Sequence, residues 1–103
     1  ASELALVGAP NVSAYAAAKA AVIGFGRSLA RELAPAIRVN VIAPGAVDTP
    51  LLPDRDRGSV YTDTVPLGRI GRPEEIAEGI LHLAEAPWTT GALYSPNGGV
   101  VIQ

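Results

Sequence analysis

A long alanine-rich run that ends at a proline and is followed almost at once by a β-branched segment leaves a chain few ways to fold. From Val12 or Ser13 to Ala34 the composition favours helix, and Ala14 to Ala21 is rich in the strongest helix former. Asn11 and Ser13 both qualify as N-caps. Tyr15, Lys19, Val22, Ile23, Gly26, Leu29, Ala30 and Leu33 recur at helical spacing and predict one shared face. Gly24 and Gly26 each cost roughly 1 kcal/mol against alanine inside a helix, which points to close approach of another backbone. Pro35 stops the run. Ile37 to Ala43 then reads as a buried strand closed by Pro44-Gly45.

The remainder continues the alternation. Ala1 to Val7 reads as the end of a strand, followed by a turn at Gly8 to Asn11. Residues 46–66 carry Pro50, Pro53 and Pro66 with no clear period, and predict a long surface loop with at most a short helical turn. A loop of that length in a compact domain is usually functional, often a lid. Its charges at Asp54, Arg55, Asp56, Arg57 and Asp63 are expected to face water. Pro73-Glu74-Glu75 opens a second helix, with proline first and acids in the first turn, ending near Ala84 to Ala86. Ile76, Ile80, Leu81 and Leu83 give it an apolar face. Gly91 to Ser95 reads as a last strand and Asn97-Gly98-Gly99 as a tight turn. Trp88 is expected to anchor a loop, and Tyr61 and Tyr94 to pack. Strands separated by helices imply an α/β fold, with a parallel sheet and helices on its faces.

Composition narrows the function classes. The 103 residues are 49% hydrophobic and 17% charged, which is globular and suits one domain or a part of one. A net charge of −2 offers no basic stripe, so nucleic acid is not an expected partner. With no cysteine there is neither a disulfide nor a thiolate metal site, and no metal is expected. No apolar run approaches the ~20 residues of a membrane span, and the first residues do not form a secretory leader. These features fit a cytoplasmic location. His82, between Leu81 and Leu83, reads as a structural histidine.

Chemistry concentrates in the first part. Tyr15 and Lys19 are four residues apart on the predicted helix, so their side chains share a face about one turn apart. A phenol is a poor acid–base catalyst at neutral pH, and an ammonium held close to it favours the phenolate. Such a pair can pass a proton to and from a substrate oxygen. Ser2 lies at the C-terminal edge of the preceding segment, where α/β sheets place ligands. Its hydroxyl can hydrogen-bond the same oxygen.

Ser2, its spacer, and Tyr15-Ala16-Ala17-Ala18-Lys19 resemble the short-chain dehydrogenase/reductase family. The resemblance continues through Arg38-Val39-Asn40-Val41-Ile42-Ala43-Pro44-Gly45 and Ala46-Val47-Asp48-Thr49. It extends to Pro66-Leu67-Gly68-Arg69, Pro73-Glu74-Glu75-Ile76-Ala77, Thr90-Gly91-Ala92 and Gly98-Gly99. Tyr-x-x-x-Lys alone is weak; these ordered matches together are specific. The resemblance implies a Rossmann-like doubly wound fold and NAD(P)-dependent interconversion of a carbonyl and an alcohol. Tyr15 would be the acid/base, Lys19 would bind the nicotinamide ribose, and Ser2 would position the carbonyl oxygen. Pro44 and Gly45 would bring backbone next to the nicotinamide, a close approach that glycine permits. Val47 and Thr49 would contact its carboxamide. The loop from Thr49 to Pro66 would cover a small-molecule carbonyl or alcohol substrate. In the family the long helix also pairs with its mate, so a homo-oligomer is implied.

The sequence departs from the family where the dinucleotide is held. No glycine-rich turn after a first strand is present, nor the residue that separates NAD from NADP, nor the family's relay Asn upstream of the serine. The expectation is that residues 1–103 form the C-terminal part of one Rossmann-like domain, with the N-terminal dinucleotide-binding half absent. The strand Ile37 to Ala43 would then have almost nothing to pair with on one edge. Two accounts follow. The chain is the catalytic half of an oxidoreductase completed by an N-terminal half, or it is a catalytically idle fragment that serves as an assembly partner. A self-sufficient NAD(P) enzyme is disfavoured, because no pyrophosphate site is preorganised.

Overall fold

The computed structural model describes residues 1–103. The elements in chain order are α1 (Leu4–Val7), α2 (Ser13–Leu33), β1 (Val41–Ile42), η1 (Asp54–Asp56), α3 (Ser59–Thr62), α4 (Pro73–Glu85) and β2 (Leu93–Tyr94). The class is α/β, as expected.

β1 and β2 are parallel, with Val41 opposite Leu93 and Ile42 opposite Tyr94. The backbone ladder runs beyond them. Val41 N–H donates to Ala92 O at 2.9 Å, Ala43 N–H to Tyr94 O at 2.8 Å, and Gly45 N–H to Pro96 O at 3.0 Å. The predicted strand from Ile37 contracts because side chains hold its first part. Val39 N–H donates to Thr90 Oγ1 at 3.1 Å, and both ends of the Asn40 amide are engaged. Asn40 Nδ2 donates to Thr89 O at 3.0 Å, and its Oδ1 accepts from Ala92 N–H at 3.0 Å.

Successive side chains of a strand point to opposite faces. Val41 meets Gly26 of α2, whereas Ile42 and Tyr94 meet Gly79 of α4. The two long helices therefore cover opposite faces of the sheet. Gly26 admits a side chain rather than a backbone, and Gly24 faces open space. The buried stripe of α2 is Ile23, Gly26 and Ala30, which leaves Tyr15 and Val22 42% exposed and Phe25 66% exposed. On α4 the buried residue is Gly79, while Ile80 and Leu81 point outward. Glycines stand where the helices come nearest to the sheet, Gly26 against Val41 and Gly79 against Tyr94.

The first segment differs most from its expectation. Only Ala1 to Glu3 run along β1, with the Ala1 nitrogen donating to Ile42 O at 2.8 Å and Glu3 N–H to Pro44 O at 3.0 Å. These two bonds occupy part of the β1 edge expected to lie bare. Leu4 to Val7 turn into helix, since Ser2 Oγ accepts the Leu4 N–H at 3.2 Å and starts the turn. Asn11 is not a cap: it adopts φ 65, in the left-handed region, and Val12 precedes the first helical residue. At its far end, α4 is closed by Arg38, whose guanidinium donates to Leu83 O, Ala84 O and Thr89 O.

The core is thin. Nine residues are buried, and the apolar ones are Ile23, Ala30, Val41, Ala43 and Val65. The radius of gyration of 14.5 Å exceeds the roughly 13 Å usual for this length. Trp88 anchors no loop and stands wholly in solvent. No helix is long and apolar enough to cross a membrane.

Candidate active site

The C-terminal edge of the sheet gathers most of the residues singled out above. Ser2 leaves the segment beside β1, and it is buried at 8% exposure. Its Oγ accepts from Leu4 N–H, which leaves the hydroxyl proton free for another acceptor. Tyr15 stands in the first turn of α2, and Lys19 follows one turn on. The Lys19 ammonium lies 5.5 Å from the centroid of the Tyr15 ring and joins none of the chain's ion pairs. α1 packs against α2. Burial first, and the charge of Lys19 second, push the Ala1 amine below its usual range. The helix that carries Lys19 thus packs beside α1, the turn that Ser2 starts.

Pro44 and Gly45 form the turn after β1. The turn is glycine for a reason internal to the chain. A Cβ on Gly45 would stand 2.9 Å from the Asn97 Cα and Cβ and 2.9 Å from Glu3 Oε2. Asn97 is itself fixed, its amide donating to Ser95 O, Ser95 Oγ and Val101 O and its Oδ1 accepting from Gly99 and Val101 N–H. Gly98 and Gly99 take positive φ, as the expected tight turn requires.

Val47 pairs with Gly71 in an isolated parallel bridge, and Asp48 N–H donates to Gly71 O at 2.9 Å. This roots the long loop. Thr49 O accepts from Leu52 N–H and from the Arg57 guanidinium, which also engages Asp48. Arg57 therefore turns back onto the loop's root while remaining exposed, as expected of a charge that faces water. Glu3, beside Ser2, is buried, and its Oε2 has no hydrogen-bond partner. A cleft of about 360 Å³ lies between this loop, α4 and residues 94–98, lined in part by Tyr61, Arg69, Glu75 and Asn97. Ser2, Tyr15 and Lys19 do not line it, so it is separate from the residues chosen from the sequence.

The tethering roles of Arg38, Arg57 and Asn97, and the burial of Glu3, escaped the sequence reading. Only Glu3 left a local signal, an acid in an otherwise apolar run.

A family profile described as Enoyl-(Acyl carrier protein) reductase matches residues 1–101. The chain is 44% identical to the 3-oxoacyl-(acyl-carrier-protein) reductase of Thermotoga maritima, over 98% of this chain and 43% of that protein. This chain belongs to the short-chain dehydrogenase/reductase family. Carbonyl reductase family member 4 of Xenopus tropicalis is 46% identical over 88% of the chain and 39% of its own length. Among solved structures, a short-chain dehydrogenase/reductase from Brucella melitensis superposes with a TM-score of 0.92 at 37% identity, over 100% of this chain and 44% of that one. A 3-ketoacyl-(acyl-carrier-protein) reductase from the same organism, complexed with NADH, gives 0.89 at 37% identity, over 99% and 42%. The chain spans about two fifths of the length of these family members.

Proposed function

We propose that the protein is an NAD(P)-dependent oxidoreductase that interconverts a carbonyl and an alcohol, and that Ser2, Tyr15 and Lys19 carry its acid–base chemistry. The observation that carries this reading is the uncommitted Lys19 ammonium one turn from an exposed tyrosine, beside the strand end that bears a buried serine.

The residues present fit a nicotinamide at its ribose and carboxamide end. A cation free of partners suits the ribose hydroxyls, and the backbone at Pro44, Gly45 and Val47 together with Thr49 suits the carboxamide. A bound nicotinamide supplies or accepts the hydride. The protein's own share is protonic. The Tyr15 hydroxyl gives its proton to the oxygen of a carbonyl being reduced and takes it back from an alcohol being oxidised. Ser2 donates its free hydroxyl proton to the same oxygen and stabilises the charge that develops there. Lys19 holds positive charge beside both. The loop from Thr49 to Pro66 covers the substrate and excludes water.

Relatives named for reduction of 3-oxoacyl groups and carbonyls make a 3-oxoacyl thioester the first substrate to assay. NADH and NADPH are both assayed. Replacement of Tyr15 by phenylalanine should cut turnover about 10²–10⁴-fold; retention of the rate would refute the assignment. Val22 and Phe25, exposed on α2, favour association with a second copy or with a complementary N-terminal half. A copy of the chain without turnover that still associates through this face would be an assembly partner.

A further inference from the structure

The loop from Thr49 to Pro66 has little burial to hold it. Leu51 is 85% exposed and Val60 87% exposed, and Val65 near its far end is its one buried residue. Its helical pieces, η1 and α3, are single turns. Turns this short do not hold themselves together. The first part of the loop is fixed instead by one side chain.

The Arg57 guanidinium reaches back across nine positions to Asp48. Its Nη1 donates to Asp48 Oδ1, and its Nη2 donates to Thr49 O. Both bonds come from one planar fork, and one of them joins opposite charges. Arg57 Nε also lies 3.9 Å from Asp54 Oδ1, but Asp54 stands in solvent and that pair adds little. The residues that Arg57 grips are themselves tied. Asp48 N–H donates to Gly71 O at 2.9 Å beside the Val47–Gly71 bridge, and Thr49 O also accepts from Leu52 N–H at 3.0 Å. Between the two ends the chain makes two turns, one closed by that Leu52 bond and one by Asp56 N–H to Pro53 O at 3.0 Å. Asp48 to Arg57 thus form a closed ring, fastened to the segment that leads into α4.

We infer that Arg57 is a positioning residue: by clamping Asp48 and Thr49 it fixes the root of the covering loop, and with it the stance of Thr49 toward the cofactor. The clamp is a property of the fold; only its effect on the cofactor rests on the functional reading above. The Arg57 side chain is 33% exposed and that of Asp48 60% exposed, so water and salt screen the pair. The clamp therefore opens readily, and salt favours the opening. A lysine has the charge without the fork and holds one partner at a time.

The test is limited chymotrypsin digestion of the protein, read by mass spectrometry. Cleavage after Leu51, inside the ring, is compared with cleavage after Phe25 in α2. Arg57→Ala should raise the Leu51 rate about tenfold relative to Phe25, the scale of a lost hydrogen bond between charged groups. Arg57→Lys should raise it about threefold. An increase in salt from about 0.05 to about 0.5 M should speed Leu51 cleavage in the parent and leave Arg57→Ala unmoved. A parental Leu51 rate in Arg57→Ala overturns the inference. If the Phe25 site opens as well, that variant has unfolded, and Asp48→Ala, which takes away the carboxylate and leaves the arginine, decides by the same criterion. In the turnover assay, Arg57→Ala should raise KM for NADH and NADPH about tenfold with kcat nearly kept, because fewer molecules present Thr49 in its seat. Arg57→Lys should recover part of that loss. Faster Leu51 cleavage with unchanged KM would overturn the positioning role. Absence of turnover in every form would refute the proposed function, and the digestion would still decide the clamp.

Discussion

Val41 of β1 rests directly on Gly26 of α2, so close that a Cβ at residue 26 would overlap the valine methyl. That contact sets how near the helix comes to the sheet, and so where Tyr15 and Lys19 stand relative to Ser2.

Gly26→Ala should therefore destabilise the fold by about 1–3 kcal/mol, the usual cost of overpacking. Gly79→Ala, which meets the Tyr94 ring, should do the same. Gly24→Ala should instead stabilise by about 0.5–1 kcal/mol, since nothing lies within 4 Å of its Cβ position and alanine is the better helix former. Chemical denaturation of the three variants checks the opposed signs.

Asn40 ties the start of β1 to the segment before β2 through both ends of its amide. Asn40→Ala should cost about 1–3 kcal/mol by leaving Thr89 O and Ala92 N–H without those partners. Asn40→Asp keeps the acceptor but sets a carboxylate oxygen against Thr89 O, and should cost at least as much. Thermal melts at neutral pH rank them.

The Glu75 carboxylate is drawn down to about 2, first by its hydrogen bond from Arg69 and then by the Arg72 N–H. A carboxylate held below its unfolded value of 4.5 stabilises the fold above that value, and the contribution is lost as pH falls toward 2. Glu3 has the opposite sign. Its raised pKa favours the fold below 4.5, and that contribution is lost as pH rises through the folded value. Glu75→Gln should flatten the acid limb of a stability-against-pH curve. Glu3→Gln should gain on the parent as pH rises.

Lys19→Met should weaken cofactor binding and slow turnover together, because the proposed roles of the ammonium at the ribose and beside Tyr15 are lost at once. Steady-state KM for NADH and NADPH, with kcat, checks it. A change in kcat alone would remove the ribose from the account.

Features set by neighbours in sequence were legible. α2 and α4 follow from alanine content, proline at N1 and Pro35 as a stop, and the Tyr15–Lys19 spacing follows from helix geometry. Features set across the chain were not. Gly24 and Gly26 both read as sites of close backbone approach, whereas Gly26 receives the Val41 side chain and Gly24 faces open space. Ile37 to Asn40 have strand composition, but Thr90 and the Asn40 amide replace the ladder there. Ile80 and Leu81 look like core residues and lie outside, because α4 meets the sheet at Gly79.

The most direct measurement is oxidation of NADH and NADPH with a 3-oxoacyl thioester by the protein and its Tyr15→Phe variant, with folding checked by circular dichroism. The account predicts turnover in the parent and a loss of about 10²–10⁴-fold in a variant that folds normally, since the Tyr15 side chain is 42% exposed. A folded variant that keeps the parental rate would contradict it.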